Sequence, residues 1–471
     1  MQKNELVKVY ISDMGNEGEG IGKSDGLTLF VKGAVKGDTV IARILKPKKT
    51  YAYAKVEEIV TPSEDRVQPS CSLFGRCGGC NMQNMSYSAQ LKMKADKVKN
   101  CLMRIGGIEE ERLNACSEEI IGMEVPFRYR NKAQYPVGKG KDGKICAGFY
   151  AYHSHNIING DDCVLQKELS ARLVTCVKEE MEKKGLSAYN EETGKGLVRH
   201  VLTRIGFTTH EVMVCLVINA KDLKAAADLV PALETVINEY NKETCEERLY
   251  VLKSLTLNIN TENTNVILGE KIIPVYGDTF ITDYIGDVKF RISPLSFFQV
   301  NPVQTVKLYG KALEYAELTG KENVWDLYCG IGTISLFLAK SAARVCGVEI
   351  VPQAIEDAKE NARLNGIDNA DFFVGAAEDL MSEKYKESEG KLRAEVICLD
   401  PPRKGCEESL LETVVKMQPK RVVYVSCDPA TLARDVKYFE KHGYELKKYT
   451  PVDMFPQTVH VETVVYLSQL S

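Results

Sequence analysis

The chain has 471 residues, 44% hydrophobic and 27% charged. That is the balance of a globular protein, which excludes wholesale disorder, and the length predicts roughly three domains at about 150 residues each. The 61 basic and 65 acidic residues leave a net charge of −4, which excludes a globally basic nucleic-acid coat but not a local basic groove.

No apolar run approaches the ~18 residues of a membrane span, and Met1-Gln-Lys-Asn-Glu5 lacks the apolar core of a secretory signal. A cytoplasmic protein without membrane contact is expected, with a monomer as the default. The 15 cysteines are an odd number, so complete disulfide pairing is impossible. In a reducing compartment some of them are expected to bind metal or do chemistry.

Taken in chain order, the first sixty residues read as short strands. Val7, Val9 and Ile11 alternate, the turn-rich Gly15–Gly22 follows, and then come Leu27–Val31, Asp38–Ile44 and Tyr51–Val56. Such spacing predicts a small β-barrel over residues 1–60. Arg43, Lys46, Lys48, Lys49 and Lys55 interleave with Tyr51 and Tyr53 without an acid between them, a stripe suited to phosphates and stacked bases or simply to a solvated hairpin face. The polar, two-proline stretch Thr61–Ser70 predicts a linker. A helix is expected from about Ser86 to Ile105, with Leu91, Ala95, Val98 and Leu102 on one face.

Residues 61–290 are expected to form a central α+β domain. Within it Leu197–Phe207 and Glu211–Asn219 predict a hairpin. Asp222–Tyr240 predicts a helix with Asp222 as its cap and a break or kink at Pro231. From about 320, apolar strands end at Asp326, Glu349, Asp400 and Cys427, alternating with helical stretches. This is the α/β pattern of a mostly parallel sheet that binds ligands at the carboxyl ends of its strands. A charged loop is expected at Ser382–Arg393.

Gly330-x-Gly332 follows the strand Val324–Leu327, and its glycines allow a close backbone approach to a ligand. Ser335 stands where a dinucleotide fingerprint would have its third glycine. A second strand ends at Glu349, 19 residues after Gly330, placed to hold ribose hydroxyls. A nucleoside without a pyrophosphate, such as S-adenosylmethionine, fits this better than NAD. Asp400-Pro-Pro-Arg403 completes a methyltransferase-like set, and Arg403 replaces the aromatic residue expected of enzymes that methylate exocyclic amines.

The strand Arg421–Ser426 stops at Cys427, beside a helix start near Pro429; that position is expected to lower the thiol's pKa. A thiolate adding at C6 of uracil would turn C5 into a carbon nucleophile, and a base must later remove the C5 proton. Glu462 is the candidate base and His460 a weaker one. Cys71, Cys77 and Cys80 lie in a Gly-rich loop and need a fourth ligand, for which Cys163 is the choice. Four thiolates suit zinc or an iron–sulfur cluster, and spacing does not separate the two.

On these residues the chain resembles the RNA uracil-C5 methyltransferase family over nearly its full length. The resemblance implies a class I, Rossmann-like methyltransferase domain over 291–471 and an N-terminal RNA-binding TRAM barrel. It also implies a [4Fe-4S] cluster on Cys71, Cys77, Cys80 and Cys163, as in the rRNA branch. Ser293–Asn301 is similar to the family segment whose Gln binds S-adenosylmethionine, so that role passes to Gln299. Tyr328, Glu349 and Asp400, with Gly330, Gly332 and Thr333 of the turn, make up the remaining cofactor set. Cys427 matches the nucleophile and Glu462 the base.

The implied activity is methylation of C5 of a uridine in 23S rRNA. The alternatives are a tRNA uracil-C5 methyltransferase or a non-catalytic iron–sulfur RNA-binding protein. Tyr129–Lys132 resembles another family stretch and is assigned only an RNA contact. Asp428, Thr333, Gln457 and Val459 depart from residues frequent in the family.

Overall fold

The computed structural model describes residues 1–152, 154–160, 162–388 and 392–470. Five strands, β1 (Leu6–Met14), β2 (Gly20–Ser24), β3 (Leu27–Lys32), β4 (Thr39–Pro47) and β5 (Tyr51–Thr61), close into a barrel in the order β1-β2-β3-β5-β4. Val9, Ile11, Leu29, Val31, Val40 and Ile44 fill its interior, as strict alternation in a closed sheet requires. β2 begins inside the stretch that sequence alone reads as a turn. Arg43 is tied to Glu57 through two bonds of 2.9 Å. The basic stripe therefore thins to the exposed Lys46, Lys48 and Lys49 at the β4–β5 turn and Lys55 on β5, beside a surface cluster of Phe30, Tyr51 and Tyr53.

The Thr61–Ser70 linker is anchored at its middle, to the barrel on one side and to the start of the first helix on the other. Arg66 lies 2.5 Å from the fully buried Asp38 of the barrel, and Asp65 bonds Ser86. Against the upward push of burial, Arg66 and the amides of Ser63 and Val35 hold the Asp38 carboxyl below its usual range.

Helices α1 (Tyr87–Arg104) and α2 (Glu110–Cys116) come next. Ser86 caps α1 by accepting from the Ala89 amide at 3.3 Å. The buried stripe of α1 is Gln90, Lys94, Val98 and Leu102. It shares only its last two residues with the predicted face, because two polar side chains take its upper half. Val98 and Leu102, each worth about 1.5–3 kcal/mol when fully buried, pack against the C-terminal sheet and its helices.

The central sheet contains β6 (Lys132–Lys139), β7 (Ile145–Tyr150) and β8 (Ile157–Asn159), then after α3 (Glu168–Lys183) β9 (Val198–Ile205) and β10 (Glu211–Ile218). After α4 (Val230–Glu243) it adds β11 (Val251–Ile259) and β12 (Lys271–Gly277). Its order is β12-β11-β10-β9-β6-β7-β8. The predicted hairpin is β9–β10, antiparallel with Val214 opposite Thr203. The predicted helix at 222–240 is instead a 3-10 turn, Lys224–Leu229, followed by α4. Pro231 lies in the first turn of α4, where its missing N–H costs nothing, so it starts a helix and does not kink one. Asp222 bonds only the Leu223 amide and caps no helix.

A hairpin, β13 (Ile281–Ile285) and β14 (Val288–Ile292), leads into α5 (Pro302–Ala316). The C-terminal sheet then builds as β15 (Asn323–Leu327), α6 (Thr333–Ala339), β16 (Arg344–Glu349), α7 (Pro352–Leu364), β17 (Ala370–Val374), α8 (Ala377–Glu387), β18 (Val396–Leu399), α9 (Glu408–Met417), β19 (Arg421–Ser426), α10 (Pro429–Lys441), β20 (Tyr444–Val452) and β21 (Glu462–Gln469). Its order is β17-β16-β15-β18-β19-β21-β20, parallel except for β21, which runs antiparallel to both β19 and β20. α5, α6 and α7 cover one face and α8, α9 and α10 the other, where α1 and α2 join them.

Of the predicted charged loop at 382–393, residues up to Glu387 belong to α8, and 389–391 lie outside the described residues. No helix among the described residues is long and apolar enough to cross a membrane.

Candidate active site

The carboxyl ends of β15, β16, β18 and β19 meet on one edge of the C-terminal sheet, where ligands bind in sheets of this kind. At β15 the chain turns sharply. Tyr328 has φ +72°, Gly330 +55° and Gly332 +83°. The first is a costly conformation for a bulky side chain. A Cβ on Gly332 would meet Phe372 at 3.2 Å, whereas one on Gly330 would meet nothing within 4 Å, so open space lies against the turn there. Glu349, the last residue of β16, accepts from the Gly330 amide at 3.3 Å and the Val351 amide at 3.1 Å. Thr333 opens α6, and its hydroxyl is 3.0 Å from that of the buried Tyr309 on α5. Tyr309 also reaches Gln299, and burial together with Asp400 raises its pKa.

Gln299 itself is buried and its carbonyl accepts from Asn131 Nδ2 at 3.0 Å. The structure thus places Gln299, Thr333, Glu349 and Asp400 around one edge, with the Tyr328 backbone bonded to Val348.

Three buried or half-buried carboxylates form a row at this edge. Burial pushes Asp326 up to about 6, with Glu349 adding to the rise and Ser335 opposing it. Burial and Asp326 push Asp400 to about 7. Burial and Asp400 push Glu462 to about 8, against the pull of Arg403.

Cys427 follows β19 directly and Glu462 opens β21. Ser426 pairs with Thr463, so Cys427 and Glu462 face each other one step beyond the registered ladder. Burial, with Glu462 and Asp400 adding to it and Arg403 opposing it, pushes the Cys427 thiol up to about 12. This corrects the expectation of a lowered pKa. α10 begins at Pro429 as predicted, but its cap is Asp428, whose carboxylate takes the Ala430 and Thr431 amides at 2.9 and 3.1 Å. The helix end is therefore already neutralised by an acid before it can act on the sulfur. Desolvation among its neighbours and the nearby cations Arg403, Lys97, Lys94 and Arg130 hold His460 down at about 4. It is a weak base in that cationic setting.

The cysteine loop lies beside the end of β7, where the Gly78 amide donates to the Tyr150 carbonyl at 3.0 Å and Cys77 bridges Ala151. Cys71 and Cys77 are within each other's field, as are Cys77, Cys80 and Cys163. Burial pushes Cys80 to about 12. The Gly79 amide donates to the Cys77 sulfur at 3.4 Å, and the amides of Leu165 and Gln166 oppose the rise at Cys163. Among the described residues no three His, Cys, Asp or Glu side chains converge closely enough to hold a metal ion. Tyr129–Lys132, given only an RNA contact by the sequence, ties this loop to the site. Arg130 bonds Leu165 through its amide, Asn131 holds Gln299, and the Tyr129 hydroxyl donates to the Pro456 carbonyl at 3.0 Å.

Sequence reasoning missed Tyr309 and gave Arg403 only a negative role. The one available signal was that Tyr309 lies eight residues after the Asn301 cap, on the inward stripe of α5. Nothing local marks Arg403 as the cation that faces Cys427, Glu462 and His460.

A family model for tRNA (uracil-5-)-methyltransferase matches residues 281–470 and one for the TRAM domain residues 2–56. A protein of Clostridium tetani described as an uncharacterized RNA methyltransferase is 48% identical over 99% of this chain and 97% of its own. Another such protein, from Caldanaerobacter subterraneus, is 47% identical over 99% and 98%. Among solved structures, the Pyrococcus abyssi tRNA (uracil-54, C5)-methyltransferase in complex with S-adenosyl-L-homocysteine is similar over 98% of this chain and 100% of that one, with 28% identity and a TM-score of 0.74.

Proposed function

Because the chain belongs to the RNA uracil-C5 methyltransferase family, we propose that it methylates C5 of a uridine in 23S rRNA through a covalent adduct on Cys427. The observation that carries this reading is the placement of Cys427 and Glu462 across adjacent strand ends, with Asp400 and Arg403 acting on both.

S-adenosylmethionine, when bound, supplies an electrophilic methyl on a sulfonium. Glu349 is placed for its ribose, the Gly330–Gly332 turn for close backbone contact, and Gln299, Tyr328, Thr333 and Asp400 for the rest of the molecule. The space against Gly330 and the acidic row fit a cationic nucleoside.

Cys427 rests as a thiol and gives its proton to solvent water as its sulfur bonds to C6, with Arg403 favouring the anion. The C5=C6 pair moves toward O4, and C5 then takes the methyl. Glu462, as carboxylate, removes the C5 proton; the C5=C6 bond reforms, the S–C6 bond breaks, and the sulfur leaves as thiolate. The target base has to leave its stack, since the sulfur attacks from the ring face.

The barrel (1–60) grips RNA, the central segment (61–290) shapes the groove, and the C-terminal segment (291–471) does the chemistry. Cys71, Cys77, Cys80 and Cys163 would hold a [4Fe-4S] cluster. Four thiols with amides directed at two of the sulfurs suit it, and a cubane spreads its ligands over four irons, not one ion. The cluster would supply a rigid crosslink between the 71–80 loop and Cys163.

A tRNA substrate is the second reading, because a structure similar over the full length, that from Pyrococcus abyssi, is of a tRNA (uracil-54, C5)-methyltransferase. Incubation with labelled S-adenosylmethionine and unmodified 23S rRNA or tRNA in parallel separates the two. Labelled 5-methyluridine from 23S rRNA alone is expected, and label from tRNA alone would overturn the rRNA assignment.

A further inference from the structure

Glu462 is the first residue of β21, so the sheet fixes it from one side only, through the Val452 and Thr463 pairings. On the other side its place is set by residues 453–461, a loop between β20 and β21. Gln457 in that loop is 3% exposed and has φ +70°, a left-handed conformation that glycine takes freely and glutamine does not. The side chain explains its presence. Gln90 of α1 donates from Nε2 to Gln457 Oε1 at 3.0 Å and accepts from the Gln457 amide at 3.1 Å. The Gln457 carbonyl accepts from the Asn81 and Met82 amides, both at 3.2 Å.

Asn81 directly follows Cys80. Its Oδ1 accepts from the Val459 amide at 3.1 Å, and its Nδ2 donates to the Glu17 carbonyl of the barrel at 3.1 Å. Met82, Met85, Val35 and Val459 close an apolar seam around these bonds. The loop is thus held by α1, by the end of the cysteine loop and by the barrel, five residues before Glu462.

We propose that Gln457 is the positioning residue for Glu462, clamped by Gln90 and Asn81, and that the cysteine loop acts on proton removal through this clamp. The proposal rests on Glu462 being the base. Addition at C6 depends on Cys427, which the clamp does not touch; only the elimination step depends on where the loop holds Glu462. Loosening the clamp therefore slows departure of the adduct more than its formation.

The test measures the ratio of covalent protein–RNA adduct to released 5-methyluridine, with RNA affinity and thermal stability measured alongside. Glu462→Gln and Cys427→Ala serve as controls. Gln457→Ala and Gln90→Ala are each expected to raise the ratio by about tenfold to a hundredfold, with RNA affinity within about twofold of the parent. The double variant should be no worse than either single one, as expected of two residues in one unit. Gln457→Asn, which keeps a carboxamide and tolerates the backbone, should recover part of the loss. The pH midpoint for release should fall in Gln457→Ala as Glu462 gains solvent.

An unchanged ratio and midpoint in Gln457→Ala and Gln90→Ala, with only lower thermal stability, would overturn the proposal while leaving the base assignment intact. If Glu462→Gln gives no adduct at all, the base assignment falls and the proposal with it.

Discussion

Asp453 and Glu462 are buried carboxylates at the two ends of one loop, 0% and 4% exposed. Asp453 accepts from Lys94 at 2.5 Å and from the Tyr87 hydroxyl at 2.9 Å, both from α1. Glu462 has no bonded cation among the described residues and is pushed to about 8 by burial and Asp400. A buried charge that is fully paired fixes structure, while one left unpaired keeps a proton affinity near neutrality that chemistry can use. The same loop therefore carries an anchor at one end and a reactive group at the other.

The comparison can be broken most sharply at the reactive end. Cys427→Ala should lower methyl transfer by at least about 10⁴-fold, read as labelled 5-methyluridine formed per minute. Glu462→Gln should lower release by about 10²–10⁴-fold while a protein–RNA adduct builds up on a denaturing gel; fast turnover without adduct would contradict the role.

At the anchored end the effect falls on stability. Lys94→Met leaves Asp453 buried without its cation and should cost about 3–5 kcal/mol in denaturant unfolding, whereas Lys94→Met with Asp453→Leu should recover most of that. Equal losses in the single and double variants would show that the pair is not the anchor.

Smaller effects sharpen the electrostatics. Arg403 lowers both Cys427 and Glu462, so Arg403→Ala should raise both. Both groups act deprotonated, so the ascending limb of the pH–rate profile should move to higher pH, by about one unit. The acidic row at about 6, 7 and 8 attracts a sulfonium only when ionised. S-adenosylmethionine should therefore bind several-fold more weakly as pH falls from 8 to 6, and uncharged-sulfur S-adenosylhomocysteine should change less. Calorimetric titration of both ligands checks this, and parallel pH dependences would remove the row from cofactor selection.

The reactive end was legible in the sequence because its signals are local. A strand ending at Cys427, a Gly-x-Gly turn and an acid at a strand end each fit within a dozen residues. The anchored end was not. Lys94 meets Asp453 and Gln90 meets Gln457 across more than 350 residues of chain, and a lysine and a glutamine on a helix read as solvent-facing until their partners are seen. The Cys427 environment was misread for a related reason. The helix start was visible, but Asp428 as the acid that caps it became a physical fact only with the Ala430 and Thr431 bonds in place. Cys71, Cys77 and Cys80 are grouped by their spacing in one loop, whereas Cys163, chosen as the distant fourth, comes within the field of Cys77 and Cys80 only through the fold.

The most direct test of the account is mass spectrometry of nuclease- and protease-digested Glu462→Gln enzyme after reaction with RNA and S-adenosylmethionine. The account predicts one peptide, containing Cys427, that carries a methylated uridine through sulfur. A methylated product with no such peptide, or a nucleotide on any other residue, would contradict it.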